Sequence, residues 1–215
     1  EQARAFDDGI AATEADDTCM LVYTSGTTGP PKGAMLSHRN LLITTDKLRT
    51  HFKLDQHNME VLCYLPLCHV AERAFSTVMH VMTGGVVNYA ESIDTVSVNL
   101  RELAPKVFLG VPRIWEKLQQ SFEFRMQDSG RLQRAVYRWG MKRGRVLADR
   151  RAIAGGTGSL TDRLEFRLWH RLLFHNMQVH MGLDRTHTRM CGGASVSPET
   201  LRFFDIIGLT VGQCY

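Results

Sequence analysis

The sequence lacks the long apolar runs and the paired cysteines that mark two large classes of protein. No stretch of its 215 residues approaches the ~20 consecutive apolar residues that cross a bilayer. The N-terminal segment 1–8 has neither the basic start nor the apolar stretch of a signal peptide, so nothing in it directs the chain to secretion. We therefore expect a globular, cytoplasmic protein. Its 44% hydrophobic residues suffice for one sizeable core or two small ones.

The 5 cysteines form an odd set without a Cys-x-x-Cys motif, and several lie inside apolar segments. This pattern favours reduced, buried thiols over disulfides. Cys63, Cys68 and His69 could in principle ligate zinc, but a zinc site would need paired ligands at closer spacing and a second cluster. We therefore expect the cysteines to pack in the core.

Positive charge is in only modest surplus. The net charge of +4 is low for a protein that binds nucleic acid, so we expect no nucleic-acid partner. The surplus is concentrated in the segment 131–151, in which Asp149 is the one acid. An anionic membrane surface is therefore one partner that this segment could contact, and a solvated helix face is the alternative.

The residue spacing in 131–151 predicts an amphipathic helix. Arg143 interrupts its apolar side, and Gly140 and Gly144 are expected to weaken it. The apolar side would carry Leu132, Val136, Trp139 and Leu147, and the basic side Arg134, Arg138, Lys142 and Arg145.

Short apolar runs alternate with helical patterns along most of the chain. The runs at 20–23, 61–65, 86–89, 106–111, 189–191 and 210–215 predict strands. Helices are predicted from 37 or 38 to 51, over 70–82, after 94, from 112 and over 198–207. This alternation predicts an α/β fold with a largely parallel sheet, and residues 113–180 form a helical insertion in it.

A leucine repeat lies within the predicted insertion. Leu160, Leu164, Leu168 and Leu172 recur at every fourth position, and Trp169 and Leu173 widen the stripe. This spacing predicts the core-facing side of a helix.

The segment 23–33 reads Tyr-Thr-Ser-Gly-Thr-Thr-Gly-Pro-Pro-Lys-Gly and follows a predicted strand. Its glycines let backbone N–H groups approach an anion, its hydroxyls add donors, and Lys32 supplies a cation, which predicts a triphosphate cradle. It is not the common P-loop, because Pro31 precedes Lys32 and Gly33 follows it. A surface turn is the alternative interpretation, since these residue types also favour turns.

This segment, with the residues 34–38 after it, resembles the phosphate-binding signature of the adenylate-forming superfamily. The resemblance implies that the loop holds the β- and γ-phosphates of ATP while a substrate carboxylate attacks the α-phosphorus. It also makes Thr24 a candidate Mg²⁺ ligand, with the main ligand expected beyond Tyr215. By position, the implied phosphate-binding residues are Thr24, Ser25, Gly26, Thr27, Thr28, Gly29 and Lys32.

Three further segments carry the resemblance. In 64–73, a strand-to-helix corner, it makes His69 a catalytic-site residue that orients the carboxylate, although a lone histidine is more often structural. In 191–199, Gly193, Ala194 and Ser195 would pass beside adenine, while Ser197 and Pro198 fit a helix start. In 211–215, Tyr215 matches the first residue of a Tyr-Gly-x-Thr-Glu motif and would stack on adenine.

The segments 91–95, 99–103 and 108–117 look like the long-chain acyl-CoA synthetase branch. The implied reaction uses ATP, Mg²⁺ and coenzyme A to convert a fatty acid through an acyl-adenylate to an acyl-CoA. Residues 1–215 would be part of the N-terminal domain, with the C-terminal catalytic domain absent, so we expect this chain alone to be inactive. The alternatives are a fatty acyl-AMP ligase and, for the chain alone, a nucleotide-binding module without turnover.

Overall fold

The structure is a computed structural model that describes residues 2–24, 30–54, 59–156 and 158–214. The chain divides into two compact units, Glu1–Asn88 and Tyr89–Tyr215. Within the described ranges, no helix combines the length and the apolar character that a membrane crossing requires.

The first unit contains an antiparallel hairpin, a helix that follows it directly, and a strand followed by a second helical run. Its elements are α1 (Gln2–Ala12), β1 (Thr18–Thr24), β2 (Lys32–Ser37), α2 (His38–His51), β3 (Glu60–Cys63), α3 (Val70–Glu72), a π-helical segment (Arg73–Val78) and α4 (Met79–Thr83). β4 (Val86–Tyr89) contains the boundary between the units and neighbours β3 in the sheet.

Local sequence explains the helix ends in this unit. Ser37 caps α2, because its Oγ accepts from Asn40 N at 3.2 Å while Asn40 Oδ1 accepts from Ser37 N at 3.1 Å. Gly84 ends α4 in the left-handed conformation with a φ of 63°. Both helix ends agree with the sequence prediction. The strand β2 was not predicted, because its glycine and alanine have low strand propensity and only pairing with β1 extends it.

The second unit is built on parallel strands with helices between them. Its elements are α5 (Val96–Leu103), β5 (Val107–Gly110), α6 (Pro112–Gln127), α7 (Arg131–Ile153), α8 (Leu160–Trp169), a π-helical segment (His170–Phe174), α9 (His175–Met181), β6 (Thr188–Gly192), α10 (Pro198–Ile206) and β7 (Gly212–Cys214). β6 pairs in parallel with β5 on one side and β7 on the other. The predicted α/β fold with a largely parallel sheet is therefore confirmed.

Trp115 fixes α6 against these strands. Its ring is buried and meets Phe108 and Phe204 edge-on, with centroid distances of 5.3 and 4.9 Å. Its indole N–H donates to Met190 O at 3.3 Å, which satisfies a buried polar group. The ring reaches this position because Gly110 has no side chain, since a Cβ there would lie 2.5 Å from Trp115 Nε1.

The predicted helix over 131–151 is present as α7, but only part of its predicted apolar side is buried. Leu147 is buried, as are Gly140 and Gly144, whereas Leu132 and Trp139 are exposed. A Cβ on Gly140 would lie 2.5 Å from Leu173 Cδ2, and one on Gly144 would lie 2.8 Å from Phe174 Cζ. The two glycines therefore let the neighbouring helical segments approach closely, which sequence spacing alone did not indicate.

The leucine repeat does not form a core face, so this prediction was wrong. All of its members are between 56% and 74% exposed, namely Leu160, Leu164, Leu168 and Leu172. The buried residues of the same helical run are Asp162, Trp169 and Phe174. The aromatic rings pack inward because the glycines of α7 leave room for them, and the leucines are turned outward. The assignment of 113–180 as an insertion stays a prediction.

Two acids of α8 face the arginines of α7. Arg143 makes a bidentate pair with Glu165 at 2.6 and 2.7 Å, and Arg150 contacts Asp162 at 2.7 Å. The Arg143 guanidinium holds the pKa of Glu165 below its usual range. The Ser159 hydroxyl and then Arg150 lower the pKa of Asp162 in the same way. Both carboxylates are therefore ionised at neutral pH and are engaged within the unit.

Replacing Gly182 by alanine should destabilise the chain strongly. Its φ is 68°, and a Cβ would lie 2.1 Å from Leu100 O. We expect the free energy of unfolding to fall by about 3 kcal/mol or more, since a left-handed alanine costs about 1–2 kcal/mol and overpacking about 1–3 kcal/mol.

Gly155→Ala is the matched control, because Gly155 has a φ of 60° with nothing within 4 Å of the added Cβ. Urea denaturation of both variants measures the difference. Equal losses would contradict the close approach of Gly182 to α5.

Candidate active site

Lys32 lies beside the segment that the sequence predicts to bind phosphate. In the β1–β2 hairpin, Thr24 pairs with Lys32 and Tyr23 pairs with Gly33. The side chain of Lys32 is exposed. The hairpin therefore fixes the two flanks of the predicted cradle next to each other. The side chain of Thr24 lies outside the described residues, as do Ser25, Gly26, Thr27, Thr28 and Gly29.

His69 caps the helix that follows β3. Its Nδ1 accepts a hydrogen bond from Ala71 N at 3.2 Å, and its own backbone N–H donates to Pro66 O at 2.8 Å. In a neutral imidazole whose Nδ1 is an acceptor, the proton is on Nε2. The side chain is exposed, so Nε2–H faces solvent as a hydrogen-bond donor. This arrangement combines a structural role for one nitrogen with a donor that suits a carboxylate.

Glu72 is a buried carboxylate that the sequence did not single out as functional. Its Oε2 accepts from Leu65 N at 2.9 Å and from Tyr64 N at 3.4 Å. Its backbone carbonyl accepts from Ser76 Oγ at 2.5 Å, at the start of the π-helical segment. Glu72 therefore ties the end of β3 to the helical run that His69 opens. The sequence feature that could have drawn attention to Glu72 is its position as an acid in the first turn of a mostly apolar helical run.

The carboxyl ends of the parallel strands lie together in the second unit. Gly110 pairs with Cys191, and Gly192 pairs with Cys214, so the chain leaves β5, β6 and β7 at one edge. A Cβ on Gly192 would lie 3.6 Å from Cys214 Cβ. In open α/β sheets, ligands bind outside this edge.

The small residues predicted to pass beside adenine follow β6 directly. Gly193, Ala194 and Ser195 are exposed, and Gly193 has a φ of 86° with nothing within 4 Å of an added Cβ. Ser197 Oγ accepts from Thr200 N at 3.1 Å, which confirms the predicted helix cap. Tyr215 lies outside the described residues.

The cysteines behave as packing residues wherever they are buried. Burial, and then the nearby Glu72, raise the pKa of the Cys63 thiol to about 12, and burial raises the pKa of Cys191 to about 11. Cys68 and His69 are exposed, whereas Cys63 is buried. In the part of the chain that the structure describes, no group of three or more histidine, cysteine or acidic side chains could hold a metal ion.

Parallel strands with flanking helices, and glycine-rich segments beyond the strand ends, define a nucleotide-binding type of α/β enzyme. The chain belongs to the AMP-binding enzyme family, whose model matches residues 2–215. The resemblance to adenylate-forming enzymes drawn from the sequence motifs is thereby confirmed.

Curated relatives align with nearly the whole of this chain. The chain is 35% identical over 212 residues to the long-chain-fatty-acid–CoA ligase ACSBG2 of Gallus gallus, covering 96% of this chain and 27% of the relative. It is 30% identical over 209 residues to the human protein of that name, covering 96% and 31%. A putative fatty-acid–CoA ligase, fadD11 of Mycobacterium tuberculosis, is 29% identical over 214 residues, covering 98% and 37%. The chain thus spans about a third of the length of these relatives.

Solved structures share the fold at lower identity. Apo MatB from Rhodopseudomonas palustris aligns with a TM-score of 0.59 and 21% identity, covering 94% of this chain and 30% of that one. A malonyl-CoA ligase in a ternary product complex with methylmalonyl-CoA and AMP aligns with a TM-score of 0.55 and 20% identity, covering 94% and 33%. At these identities the similarity establishes the fold alone.

Removing the Glu72 carboxylate should loosen the corner that carries His69. In Glu72→Ala, the N–H groups of Tyr64 and Leu65 lose their buried acceptor, and we expect the free energy of unfolding to fall by about 2–4 kcal/mol.

Glu72→Gln is the control, because its amide oxygen can still accept one of these bonds, and it should lose less than half as much. Urea denaturation of the two variants measures this difference. If alanine and glutamine were equally damaging, the hydrogen bonds to β3 would not be the stabilising contact.

Proposed function

We propose that the whole protein activates a long-chain fatty acid with ATP and transfers the acyl group to coenzyme A. The observation that carries the proposal is membership of the AMP-binding enzyme family over residues 2–215. The names of the relatives, which are fatty-acid–CoA ligases, support the substrate class. In the first step a fatty-acid carboxylate attacks the α-phosphorus and pyrophosphate leaves. In the second step the thiolate of coenzyme A attacks the acyl carbon and AMP leaves.

The residues after β1 would hold the triphosphate. Thr24, Ser25, Gly26, Thr27, Thr28 and Gly29 would supply hydroxyl and backbone N–H donors, and Lys32, paired across the hairpin from Thr24, would supply a positive charge. Thr24 would be one protein ligand of a Mg²⁺ ion, and the main protein ligand is expected beyond Tyr215. When bound, Mg²⁺ would neutralise charge on the phosphates.

His69 would orient the fatty-acid carboxylate. Its Nδ1 is occupied by Ala71 N–H, so the ring cannot turn freely, and its exposed Nε2–H can donate to a carboxylate oxygen. A carboxylate is already ionised at neutral pH, so no general base is needed before it attacks phosphorus. His69 would therefore act by position and charge stabilisation.

Gly193, Ala194, Ser195 and Tyr215 would form the adenine side of the site. The first three are small and exposed, and they follow the carboxyl end of β6, where a flat base could approach the backbone. Tyr215 would stack on the base from the neighbouring strand end.

The cytoplasmic location of the protein stays a prediction.

We expect Lys32→Met to reduce ATP–pyrophosphate exchange in the whole protein by about a hundredfold, since a preorganised charge that stabilises the transition state typically contributes 10²–10³ in rate.

His69→Ala should reduce the same exchange about tenfold, with the larger change in the KM for fatty acid. His80→Ala is the control, because His80 is exposed on α4, within the same helical run.

His69→Asp separates the two roles of His69, because its side-chain oxygen can still cap α3 but an ionised carboxylate has no hydrogen to donate. If aspartate restored the full rate, capping alone would explain the loss. Product analysis with and without coenzyme A distinguishes a ligase from a fatty acyl-AMP ligase. A protein that bound ATP but released no pyrophosphate with any fatty acid would be a binding module.

We also propose that the basic region 131–151 contacts an anionic membrane surface. Supporting this, Arg138, Lys142 and Arg145 are exposed, and no ion pair recorded among the described residues involves them. Arg143 and Arg150 of α7 are already engaged by acids, whereas this exposed set is available to a partner.

Changing Arg134, Arg138 and Lys142 together to Glu should weaken flotation with anionic vesicles at least about a hundredfold, because each basic residue near such a surface contributes about 1 kcal/mol. Flotation with phosphatidylglycerol-containing vesicles measures the effect. Unchanged flotation would rule this region out.

A further inference from the structure

The outward side of the helical run 160–172 is an exposed apolar face on the second unit. Leu160, Leu164, Leu168 and Leu172 recur every fourth residue and are all more than half exposed. The opposite side of the run is buried through Asp162, Trp169 and Phe174. An exposed row of four leucines is uncommon on a protein surface that faces only water.

Arginines accompany this leucine face along its whole length. Arg163, Arg167 and Arg171 are exposed and share its four-residue spacing. The acids of the same helix are turned away from it, because Glu165 pairs with Arg143 and Asp162 with Arg150. No ion pair recorded within the described ranges involves the three arginines. The outer side of this run therefore combines apolar surface with positive charge that its own acids do not neutralise.

We propose that this leucine–arginine face docks on an anionic lipid surface, with the leucines in the interface and the arginines at the lipid phosphates. A helix with apolar residues and arginines along one exposed side matches what such a surface binds. A second copy of the chain fits less well, since a symmetric contact would bring two arginine rows together. Nucleic acid would pair with the arginines but would leave the leucines in water.

Residues of α7 extend the apolar surface. Leu132 and Val136 line a groove of about 640 Å³ with Leu172. Trp139, with 63% of its side chain exposed, packs edge-on against Trp169 of α8 at a centroid distance of 5.1 Å. Tryptophan favours the boundary between water and lipid. Trp139 is therefore a reporter of docking that needs no label.

Flotation of the whole protein with two kinds of vesicle tests this proposal, which does not depend on the ligase activity. The vesicles contain phosphatidylcholine alone or mixed with phosphatidylglycerol. We expect binding to the mixed vesicles that weakens at high salt, with a blue shift of tryptophan emission. The double variant Leu164→Glu with Leu168→Glu should reduce binding at least about tenfold.

Replacing Arg163, Arg167 and Arg171 by glutamine should reduce binding about a hundredfold, since each arginine near an anionic surface contributes roughly a factor of five. Val81→Glu is the matched control and should bind as the unchanged chain does, because Val81 is exposed on α4 of the first unit. Circular dichroism shows whether each variant keeps its helix content.

Equal binding to both vesicles, or binding that survives both sets of substitutions, would overturn the proposal. A dimer that the leucine substitutions dissociate, without any vesicle binding by the unchanged chain, would assign this face to a second copy instead. Loss of vesicle binding says nothing about pyrophosphate release, so the proposal and the ligase function can fail separately.

Discussion

The buried indole of Trp115 is the contact on which the second unit depends. It packs between Phe108 of β5 and Phe204 of α10, and its N–H satisfies Met190 O of β6. Gly110 makes this position possible because any side chain there would overlap the ring. One residue thus links two helices to two parallel strands. The exposed segment for which we propose adenine binding follows one of these strands, β6, directly.

Charge is distributed unequally in the helical part of the same unit. Glu165 and Asp162 face α7, where Arg143 lowers the pKa of Glu165, while Ser159 and then Arg150 lower the pKa of Asp162. These inward pairs have a consequence for the other side of the helix, because they leave it with arginines and leucines but no acid. The unneutralised positive charge of that side therefore follows from internal ion pairing. In the first unit, one contact of His69 likewise determines what the rest of its side chain offers. Because Nδ1 accepts the capping hydrogen bond, the proton of the neutral ring is on Nε2.

Sequence patterns predicted most elements of the fold. Strand positions near Val107 and Met190, the capped start of α2 and the glycine end of α4 follow from local propensity, which acts within a few residues. The buried sides of α7 and α8 could not be predicted in this way. The leucine row has regular helical spacing, whereas Trp169 and Phe174 are five residues apart across a π-helical segment and pack inward against Gly140 and Gly144.

The sequence by itself determined the family, through a glycine- and hydroxyl-rich segment with Lys32 and through the motif around His69, because these short segments carry the resemblance to the family. Only the tertiary structure decided how Glu72 ties the strand end to that motif, and which helix faces meet water. The physical reason is the distance along the chain over which each effect acts. Propensity and motif chemistry are local, whereas burial of a carboxylate or a leucine depends on residues distant in the chain that pack against it.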